Sequence, residues 1–163
     1  MIPAIEWYWA ACERLGIPVA ILAGAAVPLL VPIVERHPAL RLVIDHSGMR
    51  GGSTLAEATG NIDTLASLAR HPQVYMKMGS IPNASAERYP FADVHPYLRR
   101  IHQAFGAQRM LWESDFTQLG GRLYAECLRM WQEGVTFVND DERDWILGRS
   151  AAAVLNWPEP SDR

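Results

Sequence analysis

The sequence is poor in cysteine: its 163 residues include only Cys12 and Cys127, both in stretches that read as helix. Two cysteines so far apart match no zinc-site or disulfide spacing. Buried free thiols in a cytoplasmic protein are the plain reading. No run of about 18 apolar residues occurs, so no membrane-spanning helix is expected. The opening residues, Met1 to Trp7, lack a basic segment leading into an apolar one, so no secretory leader is expected there. Neither sign of charge dominates. A net charge of −3 gives no broad attraction to nucleic acid or to an anionic membrane. There is no GxGxxG or GxxxxGK[ST] loop, which removes the commonest reason for a nucleotide-binding sheet.

What is present suits one soluble globular domain over residues 1–163. Hydrophobic residues make up 49% and charged residues 20% of the chain, enough to bury a real core. Ile5, Trp9, Cys12 and Leu15 recur at helical spacing, and Gly16 stops that helix. A strand over 17–22 follows, with Pro18 at its start. A second helix spans 28–36 and ends at His37-Pro38. Further strands are expected over 40–45, 74–78 and 110–112. Helices are expected over 62–70, from Ala92 or Asp93 to Phe105, over 123–131, and after Asn139, which reads as an N-cap before Asp140, Asp141 and Glu142. Residues 49–60 read as a loop with at most one helical turn, and 79–90 as a long polar loop. His37 and His71 read as helix C-caps or surface contacts, and His95 and His102 have no evident ligand-type partner.

Strands separated by helices imply parallel pairing through right-handed crossovers. Nearly continuous apolar strands imply a sheet covered on both faces. The fold class is α/β. Four such units fit either a small doubly wound sheet or half of a TIM-type (β/α)8 barrel, and the apolar pattern leaves both open.

In either architecture the strand ends share one face. They carry Leu22-Ala23-Gly24, Asp45-His46-Ser47, Lys77-Met78-Gly79-Ser80 and Glu113-Ser114-Asp115. His46 and Asp115 can therefore converge, and an imidazole with a carboxylate serves general acid–base chemistry or a divalent metal. Glu113 and Asp115 share parity if the strand stays regular, placing two carboxylates on one face. Lys77 shares parity with Tyr75. It either points into the site or snorkels along a helix, and the second is the ordinary course. Ser47, Ser114, Glu113 and Lys77 are the candidate lining residues.

Three motifs stand in order: Leu42-Val43-Ile44-Asp45-His46-Ser47-Gly48, then His71-Pro72-Gln73-Val74-Tyr75-Met76-Lys77-Met78, then Phe105 through Arg109-Met110-Leu111-Trp112-Glu113-Ser114-Asp115-Phe116. With the closing stretch from Asp140 to Ala151, they resemble the amidohydrolase-related (amidohydrolase 2) family of the metal-dependent hydrolase superfamily. The resemblance implies a TIM-like barrel whose fifth to eighth strands are the four seen here. It implies action on a small carboxylated, lactone, amide or aromatic substrate. It makes His46 the histidine ending the sixth strand, which contacts substrate or transfers a proton. It makes Asp115 the aspartate ending the eighth strand, which acts as base or binds a divalent metal such as zinc or manganese.

The chain departs from that pattern in three places. Leu22 stands where the fifth strand of metal-dependent members often ends in a metal-binding histidine. The first strand, with its His-x-His or Glu-x-His pair, is not in the sequence, so a metal at Asp115 has to be completed from elsewhere. Glu113 stands where glycine is usual before Ser-Asp. The expectation is the C-terminal half of a barrel, truncated or split. It would form a homodimer, pair with a missing N-terminal half, or fold poorly alone, because a half-barrel leaves two sheet edges and an inner face uncovered. Hydrolysis of a C–N or C–O bond is the leading expectation. Non-oxidative decarboxylation and a non-catalytic, partner-binding remnant are the alternatives.

Overall fold

Four short strands carry the sheet: β1 (Val19–Ile21), β2 (Leu42–Ile44), β3 (Val74–Lys77) and β4 (Met110–Leu111). The computed structural model describes residues 5–49 and 54–158. The strands pair in parallel in the order β1-β2-β3-β4. A doubly wound sheet needs a point where strand order reverses, and this sheet has none. The doubly wound alternative is therefore overturned, and the consecutive order is that of a barrel segment.

The helices are α1 (Glu6–Leu15), α2 (Val31–Arg36), α3 (Leu55–Gly60), α4 (Ile62–Leu68), α5 (Ile81–Ala84), α6 (His95–Phe105), α7 (Tyr124–Arg129), α8 (Asp140–Asp144) and α9 (Ser150–Leu155). Gly16 takes φ 64° and closes α1, a conformation glycine adopts without strain. Asn139 caps α8 in a reciprocal capping box with Glu142, satisfying two otherwise orphan N–H groups. The helix expected from Pro28 begins as a 3-10 segment, Gly24–Leu30, because Pro28 and Pro32 supply no N–H donor there. The loop expected over 79–90 contains α5, with Pro82 in its first turn, where a missing N–H costs nothing. Residues 50–53, part of the expected 49–60 loop, lie outside the described residues. No helix among the described residues is long and apolar enough to cross a membrane.

The two faces of the sheet are covered unequally. Leu42, Ile44, Val74, Met76 and Met110 pack with Leu65 and Leu68 of α4 and with Leu98, Ile101 and Phe105 of α6. Burying such a side chain contributes roughly 1.5–3 kcal/mol, so this face anchors the fold. The opposite face presents Val43, Tyr75 and Leu111, and it packs against Ala151 and Val154 of α9. The expectation of an uncovered inner face is corrected in part: α9 packs onto it from the N-terminal ends of β2 and β4. Ser150 Oγ donates to the Ala107 carbonyl, and Arg41 donates to the Val154 carbonyl. At β1 this cover runs out, and Ala20 and Leu22 are exposed.

Two histidines differ from expectation. His37 is buried, with Nδ1 2.8 Å from Glu13 Oε2 and Nε2 2.9 Å from Glu6 Oε1. The turn it occupies faces α1, so the imidazole joins two helices instead of capping one. His102 does have a carboxylate partner, Glu142, at 3.0 Å.

Candidate functional site

The strand ends hold their polar groups through unusual backbone. His46, Ser47, Ser80 and Asp115 have φ of 53°, 54°, 62° and 44°. Residues other than glycine rarely enter this left-handed region, and such strain gathers at functional sites. Each turn is braced from within. Gly48 N–H donates to the Asp45 carbonyl, Asn83 N–H to Ser80, and Gln118 N–H to Asp115.

These turns bring His46 and Asp115 together. His46 Nδ1 lies 3.2 Å from Asp115 Oδ2 and 3.1 Å from Glu113 Oε1. Ser80 Oγ lies 3.3 Å from the same Nδ1 and donates to Asp115 Oδ2. Ser80 gives its own hydroxyl proton to Asp115, so its contact with Nδ1 assigns the imidazole proton to Nδ1, which donates to Ser80 Oγ with the two carboxylates close by. Nε2 then becomes the basic nitrogen, and it has no hydrogen-bond partner among the described residues. The side chains of Glu113 and Asp115 are largely covered, at 13% and 9% exposure, and that of His46 is 25% exposed.

Glu113 ties the cluster to the sheet. Its Oε1 accepts from the His46 backbone N–H at 3.1 Å, and its Oε2 lies 2.6 Å from Lys77 Nζ. Lys77 also reaches Asp45 Oδ1 at 2.8 Å. Lys77 therefore points toward the strand-end carboxylates, and the snorkelling expectation is corrected: two carboxylates hold it more strongly than solvent would. Burial pulls its pKa down, but the hydrogen bonds and charges of Asp45 and Glu113 raise it further, leaving it above the usual lysine value. Gly79 leaves the room Glu113 needs, since a Cβ there would collide with Glu113 Cγ.

The remaining candidates divide. Ser47 is fully buried; its Oγ donates to the Gly79 carbonyl, and its own carbonyl accepts from Tyr97 O–H at 2.6 Å. It braces two strand ends. Ser114 lines a small cavity with Met78, Ser80, Trp112 and Glu113. Sequence reasoning passed over Ser80 and Asp45 as participants, although both stand at strand ends, which was the available signal.

The described residues do not by themselves fit a divalent metal. No group of three His, Cys, Asp or Glu side chains among them is arranged to hold one. His46 Nδ1 is turned onto the carboxylates themselves, and exposed Leu22 brings no donor atom.

This geometry can be set beside known proteins. A family model described as "Amidohydrolase" matches residues 4–157. The L-fucono-1,5-lactonase of Burkholderia ambifaria is 26% identical over 147 residues, covering 87% of this chain and 50% of that protein. A crystal structure of an amidohydrolase from Burkholderia multivorans with bound zinc superposes with a TM-score of 0.82 at 22% identity, over 94% of this chain and 57% of that one. A putative 2-pyrone-4,6-dicarboxylic acid hydrolase from Pseudomonas putida superposes with a TM-score of 0.68 at 20% identity, over 91% and 55%. The chain thus spans about half the length of the curated relative it matches.

Proposed function

This chain belongs to the amidohydrolase family, and on that premise we propose that it carries the hydrolytic half-site of an enzyme that opens a small lactone. The observation that carries the reading is His46 Nδ1 at 3.2 Å from Asp115 Oδ2, with Nε2 left for the reaction. In the proposed step, His46 Nε2 takes a proton from water as the oxygen adds to the lactone carbonyl. Ser80 holds the ring through Nδ1, and Asp115 and Glu113 beside it offset the imidazolium charge. The same proton then passes to the ring oxygen as the C–O bond breaks, leaving a hydroxy acid. Ser80 fixes Asp115, and Lys77 fixes Glu113. A zinc or manganese ion would need donors beyond the described residues, so no step is routed through one.

The site residues, the assembly and the single domain over 1–163 belong to the same proposal. A continuous core running from Trp9 to Ile146 supports one domain. The outer edge of β1 has no strand partner among the described residues, and Ile17 and Leu22, which flank β1 in the chain, are exposed. We propose that further parallel strands cover that edge, from an N-terminal half or a second copy. Two buried free thiols, Cys12 and Cys127, favour a cytoplasmic location.

A non-catalytic, partner-binding remnant is the second reading. Exposed Leu22 at the first strand end favours it. The purified chain, after chelation and again with added zinc or manganese, is incubated with a 1,5-lactone while NMR follows the hydroxy acid. Ring opening above the uncatalysed rate is expected. Its absence in every condition, including with an N-terminal half supplied, would favour the remnant.

A further inference from the structure

We infer that this site selects a neutral ring ester over a carboxylated one, an inference that rests on the lactone-opening reading. Asp45, Glu113 and Asp115 converge on one cation, Lys77, and one imidazole, His46. The three carboxylate side chains are only 17%, 13% and 9% exposed, so water and salt screen them weakly. Lys77 is already held between Asp45 and Glu113, and His46 Nδ1 is taken up by Ser80 Oγ beside Glu113 and Asp115. Among the described strand-end residues, no cationic group is left to receive a carboxylate of the substrate. A carboxylated ring would meet a cluster in which three carboxylates outnumber the single ammonium of Lys77, whereas a neutral lactone meets none of that repulsion.

Two further features agree. Phe116 follows Asp115 directly, is 69% exposed, and lies edge-on to Tyr124 at 6.3 Å between centroids. Tyr124 in turn lies edge-on to Trp112 at 5.9 Å. This aromatic group at the same strand end offers apolar surface to a ring's C–H face. Ring opening also creates a carboxylate from a neutral ester. The charges that reject an anionic substrate then drive the product out.

The test has two arms on the 163-residue chain. In the first, kcat/KM is measured for a neutral aldono-1,5-lactone and for a carboxylated 2-pyrone. In the second, NMR titration measures binding of a neutral aldonolactam and of a pyridine dicarboxylate, neither of which can be opened. We expect the neutral member of each pair to be favoured by about tenfold or more. Asp45→Asn, which removes one carboxylate and loosens Lys77, is expected to narrow the gap. Equal or better handling of the carboxylated ligand would overturn the inference, and so would failure of both ligands to bind. If neither ester is opened but the lactam still binds in preference, the lactone-opening reading fails and the charge selection stands.

Discussion

The imidazole of His46 and the carboxylate of Asp115 meet across two strand ends, Nδ1 to Oδ2 at 3.2 Å, although both residues hold left-handed backbone to do so. The contact fixes which ring nitrogen can react. Replacing Asp115 with asparagine keeps the size and an oxygen for Ser80 but removes the charge opposite Nδ1. A loss in kcat of roughly 10³–10⁴ is expected, by analogy with a carboxylate–histidine pair. Thermal melting is expected to stay close to that of the parent. A variant that loses stability and activity in proportion would mark Asp115 as a structural residue.

Glu113 and Gly79 are predicted to be coupled. A Cβ on residue 79 would collide with Glu113 Cγ and Oε1, so Gly79→Ala should cost about 1–3 kcal/mol, the usual range for overpacking. With Glu113→Ala in the same chain the collision disappears, and most of that cost should be recovered. Urea unfolding of the two single variants and the double variant measures this directly, and strictly additive costs would contradict it.

Lys77 stands between two carboxylates that repel each other without it. Lys77→Met should destabilise the protein by about 1–3 kcal/mol, below the range for a fully buried pair because the side chain is partly exposed. The loss should be greater than for Lys77→Met with Asp45→Asn, which removes one of the stranded charges. Denaturant midpoints of the two variants, at neutral pH, decide it.

The join between α1 and the α2 end is expected to depend on pH. Burial lowers the His37 pKa, but the hydrogen bonds it donates to Glu13 and Glu6 raise it by more, so the net shift is upward. Its contribution is therefore complete below the unfolded value of about 6.5 and is lost as pH rises through the higher folded value. The same contacts lower the pKa of Glu6 and Glu13. Their contribution is present above about pH 4.3 and is lost as pH falls through their folded values. The advantage of the parent over His37→Gln in melting temperature should thus be greater near pH 5.5 than near pH 8. An advantage that grows toward pH 8 would contradict the double ion pair.

The sequence made the strands legible because each lies in a short apolar run, and those of β2 and β4 break into Asp45-His46 and Glu113-Ser114-Asp115. The same rule exposed His46 and Asp115, which needed only to share a sheet face. Side-chain direction was less readable. Alternation holds only while the backbone stays extended, and it ends where His46, Ser80 and Asp115 turn left-handed. That is why Ser80 went unnoticed beside Asp115. Lys77 lies inside β3 and followed its parity, but the choice between a helix surface and the carboxylates depended on Asp45 and Glu113 from two other strands. His37 and α9 failed differently. Their partners, Glu6 and Glu13 for the first and Val43 and Leu111 for the second, lie far away in sequence, and no local pattern announces such contacts.

The most direct test is the rate at which the purified chain opens a neutral 1,5-lactone, compared with His46→Ala and Asp115→Asn under the same conditions, each supplied with an N-terminal half if the parent requires one. The account predicts ring opening by the parent and near-complete loss in both variants, with folding intact by circular dichroism. Undiminished turnover in either variant would contradict it.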